Sequence, residues 1–193
     1  MKTRLLQVSR EMFLRHGYSK IRIDEIAAEL NISKKTIYNH FGSKEELLFE
    51  VIEASKQEIA RDFAAIEDNP EMQFEEKIKA SLSLLGLWVS KVQVLIQDLK
   101  RNLPEAYDTI AKFNKEIIVK QGMQILNEGV HLGKLKEGWT LNMALYIFMA
   151  ASEKLFTDSF RDTMPDELAS GFPLSVEERL YSVIEIIYSG ISK

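Results

Sequence analysis

The stretch IRIDEIAAELNISKKTIYNHFGSKEELL, residues 21 to 48, constrains this chain more than any other. Ile23, Ile26, Ala27 and Leu30 recur at i, i+3, i+4 and i+7, which predicts a short helix with one apolar face. Asn31 suits the left-handed turn that ends such a helix, and Ile32 is expected to drop between that helix and the next. Ser33 is the expected N-cap of a second helix, with Ile37 and Phe41 turned inward. Lys34, Lys35, Thr36, Tyr38 and Asn39 are then left outward, on a helix too short to exist for packing alone. A pair of helices joined by a tight turn, with cations, a hydroxyl and an aromatic ring on the free side of the second, presents a reading helix to the DNA major groove. These residues imply DNA recognition by a helix-turn-helix.

The charge pattern agrees. The net charge of −4 taken whole argues against a nucleic-acid partner, but residues 1 to 44 hold nine Lys/Arg against four Asp/Glu, a balance of +5. The remaining residues carry −9, so a small basic head is joined to an acidic body. Cysteine is absent, which excludes a disulfide framework and thiolate metal ligation. The opening MKTRLLQVSR lacks the apolar core of a signal peptide. The longest uninterrupted apolar run, Met143 to Ala151, is far short of the ~18 residues of a spanning helix. The expectation is a soluble, cytoplasmic protein with no membrane partner.

Along the rest of the chain every pattern is helical and none alternates with period two, so the predicted class is all-α with about nine helices. A first helix spans residues 2 to 16, with Leu5, Ser9, Met12 and Phe13 inward and Gly17 as its stop. Ser43 to Glu46 form a capping box that opens a long fourth helix, striped by Leu47, Val51, Ser55, Ile59, Phe63 and Ile66 and ended by Asp68-Asn69-Pro70. A helix over 71–90, a shorter segment over 92–102, a long helix from Pro104 to about residue 132, a helix over 140–161, an irregular stretch over 162–173 and a last helix over 175–192 follow. Residues 1–46 are expected to form the DNA-binding domain and 47–193 a ligand-binding and dimerisation domain. The run Met143–Ala151 is apolar all round, and Leu180, Val183, Ile184, Ile186, Ile187 and Ile191 cover more than one face of the last helix. Helices like these need cover on every side, which two of them near the C-terminus obtain best from a second copy of the chain. A charge at Phe148 or Ile187, buried and unpaired, is expected to give dissociated or insoluble protein.

The residues Ile26-Ala27, Ile32-Ser33, Thr36-Ile37-Tyr38, His40-Phe41 and Ser43-Lys44-Glu45, with Phe13 and Gly17-Tyr18 before them, resemble the signature of the TetR family of bacterial transcriptional regulators. The resemblance is specific over about residues 4 to 50. It implies a homodimer built through a four-helix bundle, an inducer cavity within residues 45–160, and phosphate contacts from Tyr38, His40 and Lys44. Two positions depart from the pattern. Lys35 stands where the family often has Gly, adding a charge to the reading helix, and Arg22-Ile23 stand where it often has Thr, leaving Arg22 to serve in place of a hydroxyl.

The candidate DNA-binding residues are thus Arg22, Lys34, Lys35, Thr36, Tyr38, Asn39, His40 and Lys44. Lysine suits guanine O6 and N7 or a phosphate, and Thr36 a thymine methyl or a phosphate, and both alternatives stay open. His40 is equally a helix-end histidine bonded to a carbonyl. Trp88, Phe113 and Met143 are the candidate walls of an apolar ligand cavity, although core packing explains each singly. Glu128-Gly-Val-His131 carries one Glu-x-x-His, but di-iron chemistry needs two copies and two further carboxylates, so no metal or cofactor is expected. No catalytic constellation is present. The reading is a homodimeric repressor that leaves a pseudo-palindromic operator when a small apolar molecule binds. The alternative keeps the DNA head and makes the body a protein-interaction module.

Overall fold

The computed structural model describes residues 1–155, 163–171 and 175–193, and among these every element of more than a single bridge is a helix. The helices are α1 (Lys2–His16), α2 (Ile23–Leu30), α3 (Lys34–Tyr38), α4 (Lys44–Glu67), α5 (Phe74–Asn102), α6 (Pro104–His131), α7 (Trp139–Lys154), α8 (Asp166–Ala169) and α9 (Val176–Ile191). The all-α class and nine helices expected from the sequence are both found among the described residues. The chain divides into two compact units, residues 1–61 with 91–113, and residues 62–90 with 114–193.

In the first unit the local signals do what their chemistry requires. Asn31 adopts φ 54°, ψ 48°, and its N–H turns back onto the carbonyls of α2. The Ser33 hydroxyl accepts from the Thr36 N–H at 3.1 Å, capping α3. Ser43 accepts from the Glu46 N–H at 3.0 Å while the Glu46 carboxylate accepts from the Gly42 N–H at 2.7 Å, which ties off the start of α4. Ile23, Ile26, Ala27, Leu30, Ile37 and Phe41 are all buried, in one core with Leu5, Phe13, Leu47, Leu48, Val51 and Ile52. That core also takes Leu95 and Leu99 from α5 and Ala106 and Ile110 from α6.

The second unit is built on close approaches at glycine. A Cβ on Gly122 would lie 2.6 Å from Leu145, and one on Gly129 would lie 2.4 Å from Phe74 and 2.5 Å from Leu135. After α6, Gly133 turns at φ 68°, and residues 134–136 pair with the segment after α9 through Lys136 N–H to Ile191 O (2.8 Å) and Lys193 N–H to Lys134 O (3.0 Å). Between α5 and α9, the Lys79 ammonium sits between Glu75 (2.9 Å) and Glu185 (2.6 Å).

Two expectations change. Residues 71–90 and 92–102 are not separate segments: α5 runs unbroken to Asn102. Ser90-Lys91 contains no breaker, and the buried Leu85, Val89, Val92, Leu95 and Leu99 keep a three- to four-residue spacing straight through it. By length and composition alone α5 is apolar enough to cross a membrane, with mean hydropathy 1.3 over its best window. Its buried positions nevertheless form the stripe of a helix packed against other helices. The irregular stretch contains the one-turn helix α8. Its ends at 162 and 172–173, and the last part of the predicted 140–161 helix from residue 156, lie outside the described residues.

Phe148 and Ile187 are buried, so a charge at either meets the cost expected of an unpaired buried charge. Leu141, Ala144, Leu145, Leu180, Ile184 and Ile191 of the same two helices are buried as well. The side chains that α7 and α9 turn outward are others: Trp139 is 74% exposed, Tyr146 64%, Tyr181 63% and Ile186 73%, with Met143 and Ile147 beside them.

Candidate nucleic-acid interface

α3 is five residues long and buries a single side chain, Ile37. That one anchor, with Phe41 following it into the core, fixes the roll of the helix and so decides what faces out. Lys34, Lys35, Tyr38, Asn39 and His40 are exposed, Tyr38 by 47%, and Thr36 is half-buried. The structure brings these residues together on one short element, with Arg22 exposed at the N-cap of α2. The Arg22 backbone N–H donates to the Glu25 carboxylate at 2.6 Å, leaving its guanidinium to solvent.

Within this group the side chains are not equivalent. Lys34 Nζ is 2.7 Å from Asp24 Oδ2, a pair that joins the start of α3 to the start of α2. Lys35 has no ion pair among the described residues. The Thr36 hydroxyl lies 2.9 Å from the Ser33 hydroxyl, so it belongs to the cap of its own helix. The His40 ring is tilted against Phe41, with centroids 6.3 Å apart. Asn39 is the C-cap of α3.

Lys44 differs from the rest. It is half-buried, donates from Nζ to the Tyr18 carbonyl at 2.6 Å and lies 4.0 Å from the centre of the Tyr18 ring. Burial pushes its ammonium below the usual lysine range, against the opposing pull of Asp98 and Glu25. Burial likewise raises the Tyr18 hydroxyl, helped by Glu45. Lys44 is therefore engaged with the turn between α1 and α2, unlike the exposed cations of α3.

The sequence reading did not anticipate the residues that hold this turn from the other side. Gly17 sits at φ 86°, where a Cβ would meet Asp98 of α5 at 3.0 Å. Asp98 accepts from the Ser19 N–H at 2.6 Å, from the Ser19 hydroxyl, and from the Asn102 amide at 2.8 Å. Burial alone would raise the Asp98 carboxyl, but the Ser19 and Asn102 hydrogen bonds carry it below its ordinary value. No local motif marks a residue 79 positions away as a partner of Ser19, so only the fold reveals it.

The candidate cavity residues are divided between the two units. Trp88 is in the second unit, where its indole N–H donates to Asn114 Oδ1 at 2.9 Å. Phe113 is in the first, beneath the Lys56 ammonium at 5.4 Å. Met143 is exposed on α7. An open groove of about 680 Å³ in the second unit is lined by Ser83 and Leu87 of α5 and by Glu178, Leu180 and Tyr181 of α9, and by none of those three. Among the described residues no group of three or more His, Asp or Glu is arranged to hold a metal ion.

Residues 5–51 match the family model described as "Bacterial regulatory proteins, tetR family". Over its full length the chain is 26% identical to the HTH-type transcriptional regulator YvaF of Bacillus subtilis (strain 168), covering 96% of that protein. It is also 26% identical to a protein of Escherichia coli (strain K12) named "Probable acrEF/envCD operon repressor", over 86% of this chain and 89% of that one. Among solved structures, a transcriptional regulator from Saccharomonospora viridis in complex with choline shares the fold, with a TM-score of 0.74 and 19% identity over 100% of this chain and 97% of its own.

Proposed function

We propose that this chain, whose residues 5–51 match the tetR family of bacterial regulatory proteins and which is similar over its length to a transcriptional regulator, is a homodimeric repressor whose paired α3 helices hold a pseudo-palindromic operator and are released by a small, largely apolar effector. The observation that carries the reading is α3 itself. A five-residue helix anchored by Ile37 alone, and otherwise exposing lysines, a tyrosine and an asparagine, has the chemistry of a reading helix. In this reading Lys34, Lys35 and Thr36 meet base edges or phosphates, Asn39 contacts DNA beside them, and Arg22, Tyr38, His40 and Lys44 fix register on the backbone. The residues 1–46 serve as the DNA-binding domain and the rest senses and dimerises.

Dimerisation is supported by the outward faces of α7 and α9. Trp139, Met143, Tyr146, Ile147, Tyr181 and Ile186 put large apolar side chains on the surface of one unit, more than isolated exposed residues explain. A two-fold pairing of these faces would cover them and carry two α3 helices. Half-sites then lie about one helical turn, ~34–36 Å, or a multiple of it apart. Repression is supported by the E. coli relative's name, and small-molecule control by the choline held in the S. viridis structure.

The test is to recover preferred duplexes from a random pool, footprint the protein on the DNA upstream of its own gene, and then titrate apolar candidates and choline with and without that DNA. An effector that releases DNA must itself bind more weakly to the DNA-bound protein, by the same factor. Ligands bound with identical affinity in both states would overturn the sensor reading. A protein that recovers no preferred duplex would overturn the reading of α3.

A further inference from the structure

We propose that Asp98 is a positioning residue for DNA binding, acting with Lys44 on a single peptide bond, Tyr18–Ser19, to set the orientation of α2 and α3. This rests on the DNA-binding reading above and adds a residue that no helix-turn-helix pattern contains.

The two ends of that peptide are held by opposite charges from different helices. Its carbonyl, on Tyr18, accepts from the Lys44 ammonium at 2.6 Å at the start of α4. Its N–H, on Ser19, donates to the Asp98 carboxylate at 2.6 Å in the next-to-last turn of α5. The peptide thus turns its positive N–H end to the anion and its negative carbonyl end to the cation, the orientation both charges favour. The Ser19 hydroxyl gives Asp98 a second bond from the same residue, and Asn102, one turn further along α5, gives it a third at 2.8 Å and so fixes the carboxylate's rotation. Hydrogen bonds to a charged group are the stronger kind.

Sterics say the same independently. Gly17, two residues before Ser19, has a left-handed φ and a Cα close enough to Asp98 that any Cβ would stand 3.0 Å from the Asp98 side chain. The turn is seated on α5, with no room for slack. Four residues beyond Ser19, α2 begins at Ile23, and α3 follows through the tight turn at Asn31. A peptide plane held at both ends therefore fixes how the helix-turn-helix leaves α1, and α5 has a direct grip on it.

The experiment uses the full chain and two probes, the best duplex recovered from a random pool and a scrambled duplex of equal length. Asp98→Ala is expected to weaken binding to the selected duplex roughly 10- to 100-fold, with binding to the scrambled duplex and its salt slope unchanged, because every exposed cation remains. Asp98→Asn is expected to retain part of the preference, since its amide oxygen still accepts one Ser19 bond. Ser19→Ala, on an exposed residue, is expected to lose a fraction of it and to add nothing in the Asp98→Ala background. Equal losses on both duplexes, accompanied by a lowered unfolding midpoint, would reduce Asp98 to a structural role and overturn the proposal. So would an undiminished preference in Asp98→Ala, or losses that simply add. Should Asp98→Ala fail to fold, Asp98→Asn and Ser19→Ala decide between the same outcomes. A wild-type chain that prefers no duplex is a different failure, that of the DNA reading.

Discussion

Three of the nine cations in the first 44 residues already have a carboxylate partner: Lys2 with Glu50, Arg10 with Glu58, and Lys34 with Asp24. A fourth, Lys44, already donates to the Tyr18 carbonyl. The charge excess that the sequence displays is therefore not all available to a polyanion, and the two lysines of α3 are expected to behave differently. Lys35→Ala should flatten the dependence of log affinity on log salt by about one unit, the loss of one phosphate contact, or relax preference at one base at a cost of ~1–3 kcal/mol. Lys34→Ala should cost more than its own contact, because it leaves Asp24 unpaired beside the phosphates. Adding Asp24→Asn should then restore part of the affinity, and a double-mutant cycle on operator DNA with no such recovery would sink this account. Asp98 offers a test in pH. Its folded-state value lies below the unfolded one, so its stabilisation is fully present above about pH 4 and is lost as pH falls through the folded value. The unfolding midpoints of wild type and Asp98→Asn should differ at neutral pH and converge in acid.

At the scale of the helix, legibility followed the range of the interaction. Capping by Ser33, the αL turn at Asn31 and the buried face of Ile23, Ile26, Ala27 and Leu30 were readable because each involves neighbours within a turn or two. The continuity of α5 was missed because a polar pair, Ser90-Lys91, looks like a boundary in a window, while the buried stripe on either side shows it is not. For a related reason the sequence does not separate Phe148 from Ile147. Where a helix is apolar all round, periodicity cannot say which side meets its own unit, and only the fold turns Phe148 inward and Ile147 out. The Ser19–Asp98 contact had no local signal at all. Helix spacing also yields a prediction. Gly129 faces both Phe74 and the branch point of Leu135, 2.6 Å from the position of an added Cβ, so Gly129→Ala must displace side chains from two directions. A loss of ~1–3 kcal/mol is expected, read as a lower denaturation midpoint at unchanged slope.

For the whole molecule the sharpest expectation concerns association. Ile147→Asp and Ile186→Asp place a charge on the outward apolar faces and should give folded, dissociated protein in sedimentation, with operator affinity lost. Phe148→Asp buries an uncompensated charge in its own unit and should unfold it instead. If the Ile147 and Ile186 variants sediment as wild type does, these faces are not the contact between copies. A separate consequence lies in how the first unit is drawn from the chain. Its core is shared between residues up to 61 and Leu95, Leu99, Ala106 and Ile110, with a segment of the other unit between them. During translation the helix-turn-helix emerges early, yet the residues that close its core follow about 50 positions later, roughly 2–10 s at ordinary synthesis rates. Over that interval the nascent head shows water the apolar surface that α5 and α6 later cover. A fragment that stops at the end of α4 holds it in that unfinished state permanently, and should need a chaperone, or aggregate, where the full chain does not.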